Sequence, residues 1–491
     1  MNGYRERLLK LEAARGFRLA RMQSPLDAYS VSPVALHRLH TVYYDTRDYR
    51  LARWGCSLRF RYGQGWTLKI PLPAEAGLTR DEHTAPGDGT QIPANLLDLA
   101  SAYIRGERLV PVAELRTLRA NRHVLSNSGT SIASLAEDDV HVVEGTAVVE
   151  RFRRIEIELE DGAPSSLLED LGRQLRRRGA GKSAAGPKNV RALGARSCEP
   201  EIRRPGLHSA STIGDVLAAA LGDCVEHIVR FDIALRLKPD PQTIHHARVA
   251  VRRLRSHLRT FGPVLDERRA RDLEARLSWL QDGLSHARDA DVFLAGLRRL
   301  GTNLPDGDRR DIEHLVNPFE EARDRAYQRL RESLCEPPYV ALLDDIIEAA
   351  RRPPLAIDTT RPAREIAPSL IDCAWSKLRK RVRCSSEPPS DRELHRIRIA
   401  AKRMRYVCEA LAPVAGRRVQ RLAQHSECLQ TVLGDQHDAV VTCERLRSLA
   451  NDSTRAFTAG ELAAEANAAA LRARADWQKT WRAAKRCRSG L

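Results

Sequence analysis

The segment H-H-A-R-V-A-V-R-R-L-R at 245–255 returns as H-R-I-R-I-A-A-K-R-M-R at 395–405. A second segment follows each copy: L-Q-D-G-L-S-H-A-R-D at 280–289 matches L-Q-T-V-L-G-D-Q-H-D at 429–438. Two segments repeating in the same order and at nearly the same spacing predict a duplicated unit. The period fits helices. His245, Arg248, Arg252, Arg255 and Arg259 step by three and four, so they share one helix face, while Ala247, Val251, Leu254, Leu258 and Phe261 form a separate apolar stripe. The second copy repeats both, with His395, Arg398, Lys402 and Arg405 beside Ile397, Ala401, Met404, Cys408 and Leu411. Each helix can dock by one face and present cations on the next. Solvated basic helices usually interleave Glu with Lys or Arg, yet 245–259 contains no acidic residue. The repeated row of positive charge points to a polyanion.

The bulk charge agrees. The 491 residues hold 81 Lys and Arg against 64 Asp and Glu, a net +17, and only ten of the 81 are Lys. The excess is +6 up to residue 200 and +11 beyond it, so both parts attract anions. Arginine adds permanently charged planar forks suited to phosphate oxygens. Ten scattered Cys without a C-x-x-C pair exclude a disulfide scaffold or a zinc ribbon. The start is not that of a secretory signal, and no apolar run reaches membrane-spanning length, so a cytoplasmic protein without a membrane span is expected.

Length predicts at least two domains. Residues 1–195 read as short, alternating or β-branched runs broken by Gly, Pro and Asp, with helical inserts near 94–106 and 164–179. Residues 196–211 read as a linker. From 212 to 491 the chain reads as all helix, with nine segments and a duplication of about 212–350 and 364–485. Trp66 and Trp279 read as core.

Strand alternation places Glu156, Glu158 and Glu160 on one face and Ile155, Ile157 and Leu159 on the other. Arg59 and Arg61 share a face, and Lys69 and the Arg80/Glu82 pair add charge on neighbouring strands. Carboxylates on one strand and cations on others suit a barrel lumen that binds phosphate and Mg²⁺ or Mn²⁺. With H-T-V-Y-Y-D-T (40–46), L-A-R-W-G-C-S-L-R-F-R (51–61), W-T-L-K (66–69), R-D-E (80–82), P-V-A-E-L-R-T-L-R (111–119), I-E-I-E-L-E (155–160) and G-K-S (181–183), most of 4–190 resembles a CYTH domain, the triphosphate tunnel metalloenzyme family. Residues 212–485, with their two H-x-x-R-x-x-x-[RK]-R-x-R copies, resemble a CHAD domain, a helical family associated with polyphosphate binding. The fold class implied is α+β in two domains: an antiparallel eight-stranded β tunnel or barrel with flanking helices, then an all-α duplicated helical bundle.

The resemblance implies roles. Glu6, Lys10 and Glu158 become catalytic candidates, and Glu6, Glu156, Glu158 and Glu160 metal ligands for Mg²⁺ or Mn²⁺. Arg59, Arg61, Lys69, Arg80, Arg119 and Lys182 would hold phosphate in the tunnel. One departure stands out. The family's first-strand motif E-x-E-x-K reads here as Glu6-Arg7-Leu8-Leu9-Lys10, with leucine at the second carboxylate position. The tunnel is therefore expected to bind triphosphate and to act at most as a weak metal-dependent triphosphatase. In the helical domain the expected polyphosphate ligands are His245, Arg248, Arg252, Arg253, Arg255, Arg288, His395, Arg398, Lys402, Arg403 and Arg405, with both histidines as hydrogen-bond donors and Asp289 and Asp438 buttressing arginines. Two readings compete: a nucleic-acid-binding protein, disfavoured because the cationic faces lack stacking aromatics, and a non-enzymatic adaptor docking an acidic partner.

Overall fold

The computed structural model describes residues 7–14, 16–19, 29–71, 80–183, 186–301, 309–356, 361–449 and 456–489, with the side chains of 80, 183, 300–301, 309–315, 448–449 and 456–458 excepted. The chain divides into two compact units, Met1–Glu201 and Ile202–Leu491.

In the first unit, chain order is β1 (Leu8–Ala13), β2 (Ser30–Val31), β3 (Ala35–Asp45), α1 (Arg50–Arg53), β4 (Ser57–Arg61), β5 (Gly65–Pro71), β6 (Arg80–Ala85), α2 (Ala94–Ile104), β7 (Val110–Leu125), β8 (Ser131–Glu144), β9 (Ala147–Leu159), α3 (Ser166–Arg177), β10 (Ala180–Ser183) and α4 (Lys188–Leu193). All described pairings are antiparallel, in the order β10-β1-β9-β8-β7-β3-β4-β5-β6, with β2 on β7. The expectation of a closed eight-stranded barrel needs correction. Among the described residues no ladder joins β10 to β6, and the ten strands form an open sheet. β10 has four residues, meets β1 through a register shift and stands with β6 as one of the two edges of the sheet. The sheet nevertheless curls, because residues of β1, β3, β4, β5, β6, β7 and β9 line one cavity.

Alternation along β9 divides core from cavity. Ile155, Ile157 and Leu159 are buried with Leu11, Leu135 and the α3 residues Leu167, Leu171 and Leu175. Glu156 and Glu158, on the opposite pleat, face the cavity. Trp66 is buried as expected. Burying several such side chains, at about 1.5–3 kcal/mol each, holds the curl beneath a charged lining.

The second unit is mostly helical among the described residues: α5 (Ile213–Leu237), α6 (Pro241–Thr260), α7 (Glu267–Gly301), α8 (Arg309–Ser333), α9 (Pro337–Arg351), α10 (Ala363–Arg383), α11 (Asp391–Ala415), α12 (Arg417–Leu449) and α13 (Ala456–Ser489). Defined starts set the phase of both basic helices. The Asp240 carboxylate accepts from the backbone N–H groups of Gln242 (2.8 Å) and Thr243 (2.9 Å), with Pro241 at the first helical position of α6. Ser390 and Glu393 form a capping box at the start of α11. The expected apolar stripes are buried in both helices: Val251, Leu254 and Phe261 in or just after α6, and Ile397, Met404 and Leu411 in α11. Trp279 departs from its expectation. It is 38% exposed on α7, because that helix buries Leu277, Leu280 and Leu284 instead. The ten cysteines are all free, and no described helix is long and apolar enough to cross a membrane.

Candidate functional sites

The curled sheet encloses a cavity of about 250 Å³. Lys10, Arg59, Arg61, Lys69, Arg119, Arg154 and Lys188 line it, against three carboxylates, Glu82, Glu156 and Glu158. Strand register explains the gathering. Lys10 stands opposite Glu156 and Leu8 opposite Glu158 across the β1–β9 ladder, and paired residues project to the same face.

One network anchors the cavity wall. Arg119 donates from Nε and Nη2 to the two Asp138 carboxylate oxygens at 2.7 and 2.8 Å, and from Nη2 to Glu156 Oε2 at 2.8 Å. Lys188 Nζ lies 3.0 Å from Glu156 Oε1 and also pairs with Asp138, whose side chain is fully buried. Burial alone would raise the Glu156 pKa, but Lys188 and Arg119 hold it well below the usual carboxylate range. Burial would lower the Arg119 pKa, and the bonds and charge of Asp138 and Glu156 raise it instead. These two acids are thus spent on holding cations in place.

Other cations are less satisfied. Arg59 Nε and Arg154 Nη1 are buried without a hydrogen-bond partner. Burial and the neighbouring Arg59 push Arg61 down to about 10. Lys69 pairs with Glu82 at 2.6 Å, and Arg59 reaches the same carboxylate at 3.7 Å. Orphaned buried donors beside like charges favour an incoming anion.

Of the sequence-derived tunnel residues, Lys10, Arg59, Arg61, Lys69, Arg119, Glu156 and Glu158 line the cavity. Lys182 does not; it is exposed on β10. Glu160 is also absent from the lining and follows the end of β9, its carbonyl accepting from Arg7 Nη2 at 2.6 Å. Glu6 lies outside the described residues, as does the side chain of Arg80. Arg154 and Lys188 were missed. Arg154 shares the parity of Glu156 and was legible from that phase. Lys188 opens α4 after Pro187, and no strand periodicity marks it.

A divalent ion does not fit the described residues. No three of their His, Cys, Asp or Glu side chains come together to hold one. Glu156 and Glu82 are already matched by cations, and apolar Leu8 faces Glu158.

The second site lies between α6 and α11. Arg248, Arg252, Arg398 and Lys402 are close enough to perturb one another, so the two basic rows meet. Burial, then Arg252, Arg398 and Arg248, lower the Lys402 pKa to about 6. Lys402 and Arg252 make no ion pair among the described residues, and the Nε atoms of Arg252 and Arg398 are buried without a partner. The two helices make matching supports. Arg248 Nη2 lies 3.6 Å from Asp289, and Arg398 Nη2 lies 4.0 Å from Asp438. His245 is lowered to about 4 by burial and by Arg288. His395 is lowered to about 4 by burial and by His437, which sits 4.2 Å away ring to ring. Arg288 also donates to the Pro241 carbonyl at 3.3 Å.

The remaining expected ligands turn elsewhere. Arg253 pairs with Glu409 at 3.1 Å and Asp223 at 3.5 Å, Arg255 with Glu274 at 3.5 Å, and Arg405 with Glu409 at 2.6 Å and Glu427 at 2.9 Å. Most of these acids come from other helices, so the acid-free run of 245–259 did not reveal them. Burial and the nearby Arg259 and Arg381 lower the Arg403 pKa, and Glu274 opposes them.

Comparison with known proteins agrees with this division. The CYTH domain family matches residues 5–184, and the CHAD domain family matches residues 219–447. The chain belongs to the family of proteins in which a CYTH domain is followed by a CHAD domain. It is similar to the uncharacterized protein Rv2226 of Mycobacterium tuberculosis (strain ATCC 25618 / H37Rv), 31% identical over 461 residues, covering 86% of this chain and 84% of that protein. Among solved structures, the CHAD domain from the plant Ricinus communis is 26% identical (TM-score 0.44), covering 59% of this chain and 94% of that one. PptA from Streptomyces chartreusis is 21% identical (TM-score 0.45), covering 55% and 100%.

Proposed function

We propose that this chain binds inorganic polyphosphate or triphosphate, with the α6–α11 groove as the principal polyphosphate site and the curled sheet as a triphosphate site. The observation that carries the reading is Lys402. Its amine sits among Arg248, Arg252 and Arg398, and burial and these cations lower its pKa to about 6, so a dense negative charge would restore its proton and add a fourth positive charge to the cluster. Arg248, Arg252, Arg398 and Lys402 grip successive phosphate groups, and His245 and His395 add hydrogen bonds. The matched pairs Arg248–Asp289 and Arg398–Asp438 support a duplicated unit, about 212–350 and 364–485, following domain 1–195 and linker 196–211.

In the tunnel, Arg59, Arg61, Lys69, Arg119, Arg154 and Lys188 neutralise the chain of phosphates, and Lys10 stands near Glu156. The site is proposed as one that binds and hydrolyses little, since leucine stands where a second carboxylate of the first strand belongs. The nucleic-acid reading is disfavoured: among the described residues the Tyr406 ring, which Arg253 and Arg405 overlie, is buried and offers no face for a stacked base.

A filter-binding competition between polyphosphate and RNA at fixed salt tests the proposal. Polyphosphate is expected to displace RNA at equal phosphate concentration. RNA displacing polyphosphate more effectively would favour the nucleic-acid reading.

A further inference from the structure

A cavity in the second unit lies away from the Lys402 cluster. It holds about 560 Å³ between α10, α11 and the end of α6. Its wall carries six cations, Arg259, Lys377, Lys380, Arg381, Arg396 and Arg403, and no acid. Arg259 is held by Glu274. The other five make no ion pair or side-chain hydrogen bond among the described residues. Arg396, Ile399, Ala400 and Arg403 step by three, one and three along α11, a face distinct from that of Arg398 and Lys402.

The corresponding place beside α6 is different. There Arg253, which aligns with Arg403, is neutralised by Asp223 and Glu409, and Arg204 by Asp223 and Glu226. Glu409 aligns with Arg259. Acids thus close one groove, while at the other Glu274 meets Arg259 and acts on Arg403, and the five remaining cations make no ion pair among the described residues. Five cations without an ion pair repel one another, so their gathering weakens the bundle unless something compensates.

The floor of this cavity is apolar. Leu370, Ala374, Ile399 and Ala400 line it, and Ile399 is 39% exposed, one of the few large aliphatic side chains left open to solvent. Thr260 also lines it, and its hydroxyl is buried without a hydrogen-bond partner. A bare phosphate chain satisfies the cations but leaves the aliphatic floor and the Thr260 hydroxyl unused. The volume falls within the range of small-molecule sites, roughly 300–1,000 Å³.

We infer that this cavity is a second ligand site, taking a small organic phosphate whose anionic end meets Arg396, Arg403 and the α10 lysines and whose flat, mostly apolar end lies on Leu370 and Ile399. A nucleoside triphosphate has this chemistry: phosphates for the cations, a base that packs on aliphatic side chains and guanidinium planes, and polar edges within reach of Thr260. This site stands independently of the polyphosphate groove.

Titration of the full chain with a fluorescent ATP analogue tests the inference. Three proteins are compared: wild type, Lys377→Ala/Arg396→Ala in the cavity, and Arg252→Ala/Lys402→Ala in the groove. The cavity variant is expected to lose a saturable binding component by at least tenfold, and the groove variant to retain it. Inorganic triphosphate, with similar charge and no base, is expected to compete at least tenfold less well than ATP for that component. Should the cavity variant fail to fold, Ile399→Asp serves instead, with helicity checked by circular dichroism. No saturable component sensitive to the cavity variant, loss in the groove variant alone, or equal competition by triphosphate would each overturn the inference.

Discussion

Leu8 and Glu158 are direct partners across the β1–β9 ladder, and both line the cavity of the curled sheet. A leucine therefore sits beside a carboxylate on the charged face, one pair away from Lys10 and Glu156. The apolar side chain withholds a ligand at the point where acids would have to combine to hold a cation.

Replacing this leucine should supply it. Leu8→Glu is expected to confer measurable Mn²⁺ binding, read by calorimetry or by electron paramagnetic resonance, and to raise triphosphate hydrolysis over the wild type. A divalent ion brings charge compensation for the transferred phosphoryl group. Without metal the added buried carboxylate is costly, so the variant's thermal midpoint should rise when Mn²⁺ is added. A wild type already as fast as tunnels with an intact motif, with no gain on substitution, would show that Leu8 does not impair the site.

Two lysines separated by six residues should behave differently. Lys188 bonds Glu156 and pairs with buried Asp138, whereas Lys182 is exposed on β10. Lys188→Ala is expected to weaken triphosphate binding at least tenfold and to lower stability by about 1–3 kcal/mol, the cost of leaving buried carboxylates less satisfied. Lys182→Ala should change binding less than twofold. Isothermal titration and denaturant unfolding of both variants check the contrast.

Much of this was legible in the sequence, for a physical reason. Period-two alternation fixed the faces of β9, and period 3.6 fixed both stripes of α6 and α11, because side-chain direction follows from backbone geometry alone. The repeat gave both helices the same apolar and basic phase, but the meeting of Arg248, Arg252, Arg398 and Lys402 depends on how the helices pack. What was not legible came from long-range contacts. Glu274, Asp223 and Glu409 neutralise Arg255 and Arg253 from other helices or distant turns, and no local pattern announces them. Lys188 reaches the cavity from a short helix outside the strand periodicity. Trp279 was read as core from its residue type, although the burial phase of α7 leaves it exposed.

Lys402 gives a signed pH dependence. Its pKa in the free protein is lowered to about 6 by burial and by Arg252, Arg398 and Arg248. Phosphate oxygens raise it again on binding, so binding takes up a proton. Affinity should therefore increase as pH falls from the ordinary lysine value of about 10.4 towards about 6. His245 and His395, both lowered to about 4, add a further gain below that. Folding stability moves the opposite way. The unfolded chain holds the lysine proton more tightly, so stability declines over the same window and levels off below about 6. Lys402→Arg keeps its charge throughout and should flatten the affinity profile above pH 6. Calorimetry in buffers of different ionisation enthalpy reads the proton uptake, and none at pH 7.5 would contradict this role for Lys402.

The most direct measurement is the affinity of long-chain polyphosphate for the full chain and for Arg252→Ala/Lys402→Ala, across a salt titration. Each charged hydrogen bond lost is worth about 1.5–3 kcal/mol, so affinity should fall by at least tenfold and the salt dependence should become shallower. Helicity by circular dichroism should stay unchanged. Equal affinity and an equal salt slope in a folded double variant would remove the α6–α11 groove as the polyphosphate site.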